Sequence, residues 1–121
     1  VNLNKHILET ICLYLGIDTK ISVYSSMNLK IANVTSPDEW ALNICNAVGN
    51  VDEYWNPEGG LEFFDCKKYL DKGINIKFLK MRDVPYSQFR PTYESFLSII
   101  DVLMFNSVDE IRVMLGEYDL I

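Results

Sequence analysis

The chain has 121 residues, 49% hydrophobic and 23% charged, with a formal net charge of -6. That length fits one compact domain, and the composition is that of an ordinary globular protein. The acidity and the lack of any Lys/Arg-rich run argue against nucleic acid as a partner, since phosphate binding needs clustered cations. Cys12, Cys45 and Cys66 are widely spaced, there is no C-x-x-C, and the single histidine is His6. No metal site is therefore expected, and a reducing compartment fits. No apolar run is long enough to span a bilayer and the N-terminus is not a signal peptide, so the expected location is cytoplasmic.

The chain opens on Val1-Asn2-Leu3-Asn4 without an initiator Met and reads as a piece of a longer protein. Ile7, Leu8, Ile11, Cys12 and Leu15 recur at helical spacing, and Gly16 stands where a C-terminal cap belongs. Ile21-Ser22-Val23-Tyr24 is β-branched and aromatic and predicts a short strand closed by Ser25-Ser26. Ser36-Pro37-Asp38-Glu39 predicts a helix start with a capping box, and Trp40, Ala41, Ile44, Cys45 and Val48 its buried face, with Gly49 as the stop.

Val51 to Trp55 predicts a second strand, and Asn56 to Gly60 a loop whose glycines supply unusual backbone angles. Asp65 is placed to cap a helix from Cys66 to Asp71 that Gly73 ends. Ile74 to Leu79 alternates as a third strand. Arg82 to Thr92 contains two prolines and predicts a long loop. Phe96 to Phe105 is apolar on nearly every side and predicts a buried helix. Ser107-Val108-Asp109-Glu110 is a second capping box, opening a helix that Gly116 ends. This alternation predicts a single α/β domain over 1–121. Its expected form is a small three-layer sandwich with a mainly parallel, Rossmann-like sheet.

Four segments carry a resemblance: Tyr54-Trp55-Asn56-Pro57-Glu58-Gly59-Gly60, Gly73 to Leu79, Pro85-Tyr86-Ser87-Gln88-Phe89, and Leu97-Ser98-Ile99-Ile100-Asp101 through Asn106. In order and spacing they resemble the C-terminal half of the WbqC-like proteins of bacteria. The resemblance implies a place in O-antigen, lipopolysaccharide or other surface-polysaccharide biosynthesis. It also implies a transferase, or a component of one, moving glycine or another aminoacyl group.

The residues themselves leave two readings open at each candidate. Asn56, Gly59 and Gly60 follow a strand, where ligands of parallel sheets bind, yet glycines serve a tight turn equally well. Ser25 and Ser26 offer hydroxyls to the same crevice or simply close a turn. Asp101 sits in an apolar helix, and a buried carboxylate needs a partner, with Arg82, Arg90 or a backbone amide as the choices. It is either a ligand-facing acid or a structural one. Tyr86, Gln88 and Arg90 offer neutral hydrogen bonds and an anion clamp from the long loop, or pack it.

Glu58 and Glu62 flank the glycine loop without forming an evident acid–base pair. His6 reads as a surface residue. No Walker loop or dinucleotide fingerprint is present, so no cofactor can be named. The expected partner is a small molecule with an amino-acid, nucleotide or sugar moiety. The alternative is a non-catalytic domain that binds a metabolite, associates with itself or docks on another protein through a sheet edge.

Overall fold

The computed structural model describes residues 1–121. Its order is α1 (Asn2–Leu15), α2 (Glu39–Val48), β1 (Glu53–Pro57), α3 (Cys66–Leu70), β2 (Asn75–Met81), α4 (Ile99–Phe105), α5 (Val108–Leu115) and β3 (Tyr118–Leu120), with short 3-10 turns at Tyr24–Ser26 and Glu58–Gly60. The chain divides into two compact units. One holds Val1–Val23 with Met81–Tyr118, the other Tyr24–Lys80 with Asp119–Ile121. No helix is long and apolar enough to cross a membrane.

The second unit carries the sheet, in the order β1-β2-β3. β1 and β2 run parallel, with Glu53 opposite Asn75 and Pro57 opposite Leu79. Phe78 and Ile121 exchange both backbone hydrogen bonds, at 2.8 and 3.0 Å, which is the antiparallel pattern. The sheet is therefore small and mixed, where the sequence predicts a mainly parallel, Rossmann-like one. Two elements account for the difference. The stretch Ile21–Tyr24 finds no partner strand and ends in a 3-10 turn, and β-propensity without a neighbour to pair with does not make a strand. The three residues of β3 are too few for any periodicity to announce them.

The core of this unit is built on Tyr69, which is fully buried with Leu42 and Ile74. Its ring stacks on Tyr54 at 5.7 Å and meets Phe64 edge-on at 5.9 Å. Its hydroxyl donates to the carbonyl of Asp38 at 2.9 Å, so a polar atom deep in the core is satisfied. Asp65 caps α3 as the sequence predicts, accepting from the Lys67 N–H at 3.0 Å.

The start of α2 departs from a simple capping box. Asp38 is the capping residue, and the Ser36 hydroxyl donates to the Asp38 carboxylate. The Glu39 carboxylate reaches back to the Thr35 N–H at 2.8 Å and its hydroxyl at 2.7 Å. The Lys68 ammonium closes the cluster, 2.9 Å from Glu39, 3.2 Å from Asp38 and 2.8 Å from the Ser36 hydroxyl. Trp40, expected inside, is half exposed, because these contacts turn the other side of the helix, with Leu42, inward.

In the first unit Gly16 ends α1 in the left-handed conformation, φ 65°, that glycine adopts without strain. The guanidinium of Arg112 lies against it, and Arg112 Nε donates to the Leu15 carbonyl at 2.6 Å. A cation thus sits on the negative end of α1 and ties it to α5. The capping box at Ser107 and Glu110 forms as the sequence predicts. α4 does not follow its expectation. It begins at Ile99, and none of its residues is fully buried. Ile100 is 67% and Met104 75% exposed, because the unit supplies packing for only part of the helix surface.

Two outcomes follow. The Thr35 amide and hydroxyl and the Lys68 ammonium hold the Glu39 carboxyl at about 2, below its ordinary 4.5. A depressed carboxylate stabilises the fold fully above its unfolded value and loses that contribution as pH falls through the folded one. The melting temperature should therefore fall between 4.5 and about 2, and the fall should be shallower in Glu39→Gln. Tyr69→Phe keeps the ring but strands the Asp38 carbonyl, and denaturant unfolding should show a loss of about 1–2 kcal/mol.

Candidate functional site

The first unit brings together several of the side chains that the sequence singled out. After β2 the chain runs without regular structure to the start of α4, and this loop is stitched to itself and to the helix. Gln88 forms a two-way clasp, its Nε2 donating to the Glu94 carbonyl at 2.9 Å and its Oε1 accepting the Glu94 N–H at 3.0 Å. Tyr93 donates its hydroxyl to Asp83 at 2.6 Å, and Tyr86 donates to Asp101 at 2.6 Å. The two tyrosine rings meet edge-on at 5.7 Å. Ser98 caps α4 by accepting from the Ile100 N–H, which places Asp101 in the first turn of that helix.

Asp101 is half-buried. The partner its burial demands is the phenol of Tyr86, not the arginines or backbone amides expected from the sequence. One neutral hydrogen bond suffices because the carboxylate stays partly in water. The Asp101 carboxylate raises the Tyr86 phenol above its ordinary range, and Asp83 pushes that of Tyr93 up to about 12. In both cases the short hydrogen bond to the carboxylate holds the proton, and the nearby negative charge adds to the effect.

Two concavities flank the pair. One, of about 240 Å³, is lined mainly by Tyr86, Tyr93, Asp83, Phe96, Val102 and Met114. The other is an open groove lined by Gln88, Phe89, Arg90, Ile100, Asp101 and Met104. Four of the residues singled out from the sequence, Tyr86, Gln88, Arg90 and Asp101, thus come together. Asp83 and Tyr93 join them and were missed. A Tyr and an Asp ten residues apart in a loop carry no periodic signal.

Asn56, Gly59 and Gly60 belong to the other unit. Gly59 and Gly60 lie in a right-handed 3-10 turn without positive φ, so the unusual backbone angles expected of them are not used. Gly60 is needed for space instead. It is buried, and a Cβ there would stand 2.5 Å from the Asn56 Oδ1 and 3.0 Å from the Phe64 ring. The Asn56 Nδ2 donates to the Tyr54 hydroxyl at 2.8 Å. Ser25 and Ser26 are exposed in the turn that follows Val23, and His6 is exposed on α1. Glu58 pairs with Lys80 at 3.3 Å.

Residues 1–113, nearly the whole chain, match the WbqC-like protein family. The chain belongs to that family. The match extends over both units, from α1 into α5. No curated protein and no solved structure matches the chain.

The titration of Tyr93 provides a check on the site. Ultraviolet absorbance should show one phenol ionising near 12, and Asp83→Asn should return it toward its ordinary 10.0. A raised phenol stabilises the fold below its unfolded value and loses this contribution as pH rises through the folded one. Alkaline melting should therefore lose its Tyr93-linked component in Asp83→Asn.

Proposed function

We propose that this chain acts as a transferase, or as a component of one, in bacterial O-antigen or surface-polysaccharide biosynthesis, with glycine or another aminoacyl group as the group moved. Family membership supports the pathway. The observation that carries the reaction is the Tyr86–Asp101 pair beside the groove that Gln88 and Arg90 also line.

In such a transfer the acceptor nitrogen or oxygen attacks the carbonyl carbon of an activated acyl donor. The bond to the leaving group breaks with its electron pair, and the acceptor loses a proton. Asp101 has one carboxylate oxygen on Tyr86 and the other available to take that proton. Tyr86 holds the carboxylate in place and is the positioning residue. Arg90 is exposed at the groove and suits a phosphate or carboxylate of the donor. The groove's lining offers no thiol and pairs no hydroxyl with a base, and Ser98 is spent on its helix cap. In this reading the transfer is direct, with Asp101 as base rather than nucleophile.

A second reading is a docking module. It is favoured by the 95% exposure of Phe89 and by Ile100 and Met104 beside it in the same groove. A thermal-shift screen against nucleotides, nucleotide-sugars, amino acids and coenzyme A separates the two. The transferase reading expects a stabilising ligand whose effect is lost in Arg90→Ala and kept in Asp101→Asn. With that ligand as donor, Asp101→Asn should slow transfer by roughly 10²–10⁴-fold. Absence of any stabilising ligand from a well-folded chain would favour docking.

A further inference from the structure

The smaller cavity holds an unusual balance of groups. Its two polar aromatic side chains have spent their protons, Tyr93 on Asp83 and Tyr86 on Asp101. What they turn to a ligand is ring surface and oxygen lone pairs. Asp83 has one oxygen occupied by that bond and a second one in reserve. The one cation in the lining, Arg82, is ion-paired with Glu117 at 3.2 Å. The charges around the cavity are thus unequally matched. Arg82 is matched by Glu117, while Asp83 and Asp101 have only neutral phenols.

The rest of the wall is apolar, from Phe96, Val102, Ile111 and Met114. Phe96 holds φ 53°, a left-handed conformation that a bulky residue adopts at a cost, and its ring is among those that line the space. A site with π faces and the Asp83 carboxylate, whose phenol protons are already engaged and whose one cation is ion-paired, is complementary to a donor-rich cation on an apolar body.

We propose that the cavity formed by Tyr86, Tyr93, Asp83 and Phe96 is a binding site for a small organic ammonium ion, a primary amine carried on an apolar or aromatic frame. The amine's protons face the Asp83 carboxylate, and its frame lies against the two tyrosine rings and Met114. This site adjoins the groove assigned to transfer, with Leu97 and the Tyr86–Asp101 pair between them, and the assignment does not require that the chain move an acyl group.

Isothermal titration of the full chain with benzylamine, benzyl alcohol and benzoate tests it. These probes share one ring and differ in charge. Benzylamine should bind saturably and at least about tenfold more tightly than benzyl alcohol, with benzoate weakest. Asp83→Asn, which still offers Tyr93 an acceptor, should erase the preference for the amine. Tyr93→Phe keeps the ring and frees the carboxylate, and should preserve the preference. Equal binding of the alcohol, preferred binding of benzoate, saturable binding of none, or an amine preference that survives Asp83→Asn would each overturn the assignment.

Discussion

The sheet-bearing unit depends on the burial of one phenol. Tyr69 brings α3 against α2 and the first two strands, and its only polar atom is satisfied by the backbone of Asp38. Burial raises that phenol well above its ordinary range, so it stays a neutral donor. The residue next to it, Lys68, gathers Ser36, Asp38 and Glu39 around its ammonium. Two adjacent residues of one short helix thus fasten the same segment twice, once through packing and once through charge. A five-residue helix would not persist alone. Here the contacts of Tyr69 and Lys68 give it a place.

The other unit is organised by a loop. Between β2 and α4 the chain makes no ladder, and its side chains supply what secondary structure would otherwise provide. The Gln88 clasp, the Tyr93–Asp83 bond and the Tyr86–Asp101 bond close it at three points. The groups that hold the loop are the same ones that line the concavities. Function and loop stability are therefore coupled, and substitutions there call for a folding control.

Much of this was legible beforehand where a local rule decides the outcome. The Gly16 stop, the Asp65 cap and the Ser107–Glu110 box depend on a few neighbouring residues and formed as read. The alternation of Ile74 to Leu79 likewise gave β2. What local rules could not decide was pairing. Whether Ile21–Tyr24 has a neighbour, or which direction β3 runs, depends on residues far along the chain. The same holds for burial: α4 is apolar all round, but exposure is set by how many elements are at hand to cover it. At the site, Tyr86, Gln88, Arg90 and Asp101 were found by side-chain chemistry. Their arrangement, and the addition of Asp83 and Tyr93, came from loop geometry that carries no period.

The contact between Arg112 and the Leu15 carbonyl joins residues 97 positions apart. It makes the order of synthesis matter. α1 is made well before α5, the helix that supplies the partner capping it. A lone helix of 14 residues is marginal in water, so the nascent segment has little reason to stay helical until that partner arrives. The sheet-bearing unit also waits, since its third strand comes only after α5. Both units are completed by long-range closure. Refolding should accordingly be slow for a chain this rich in helix, because distant segments must meet before either body is whole.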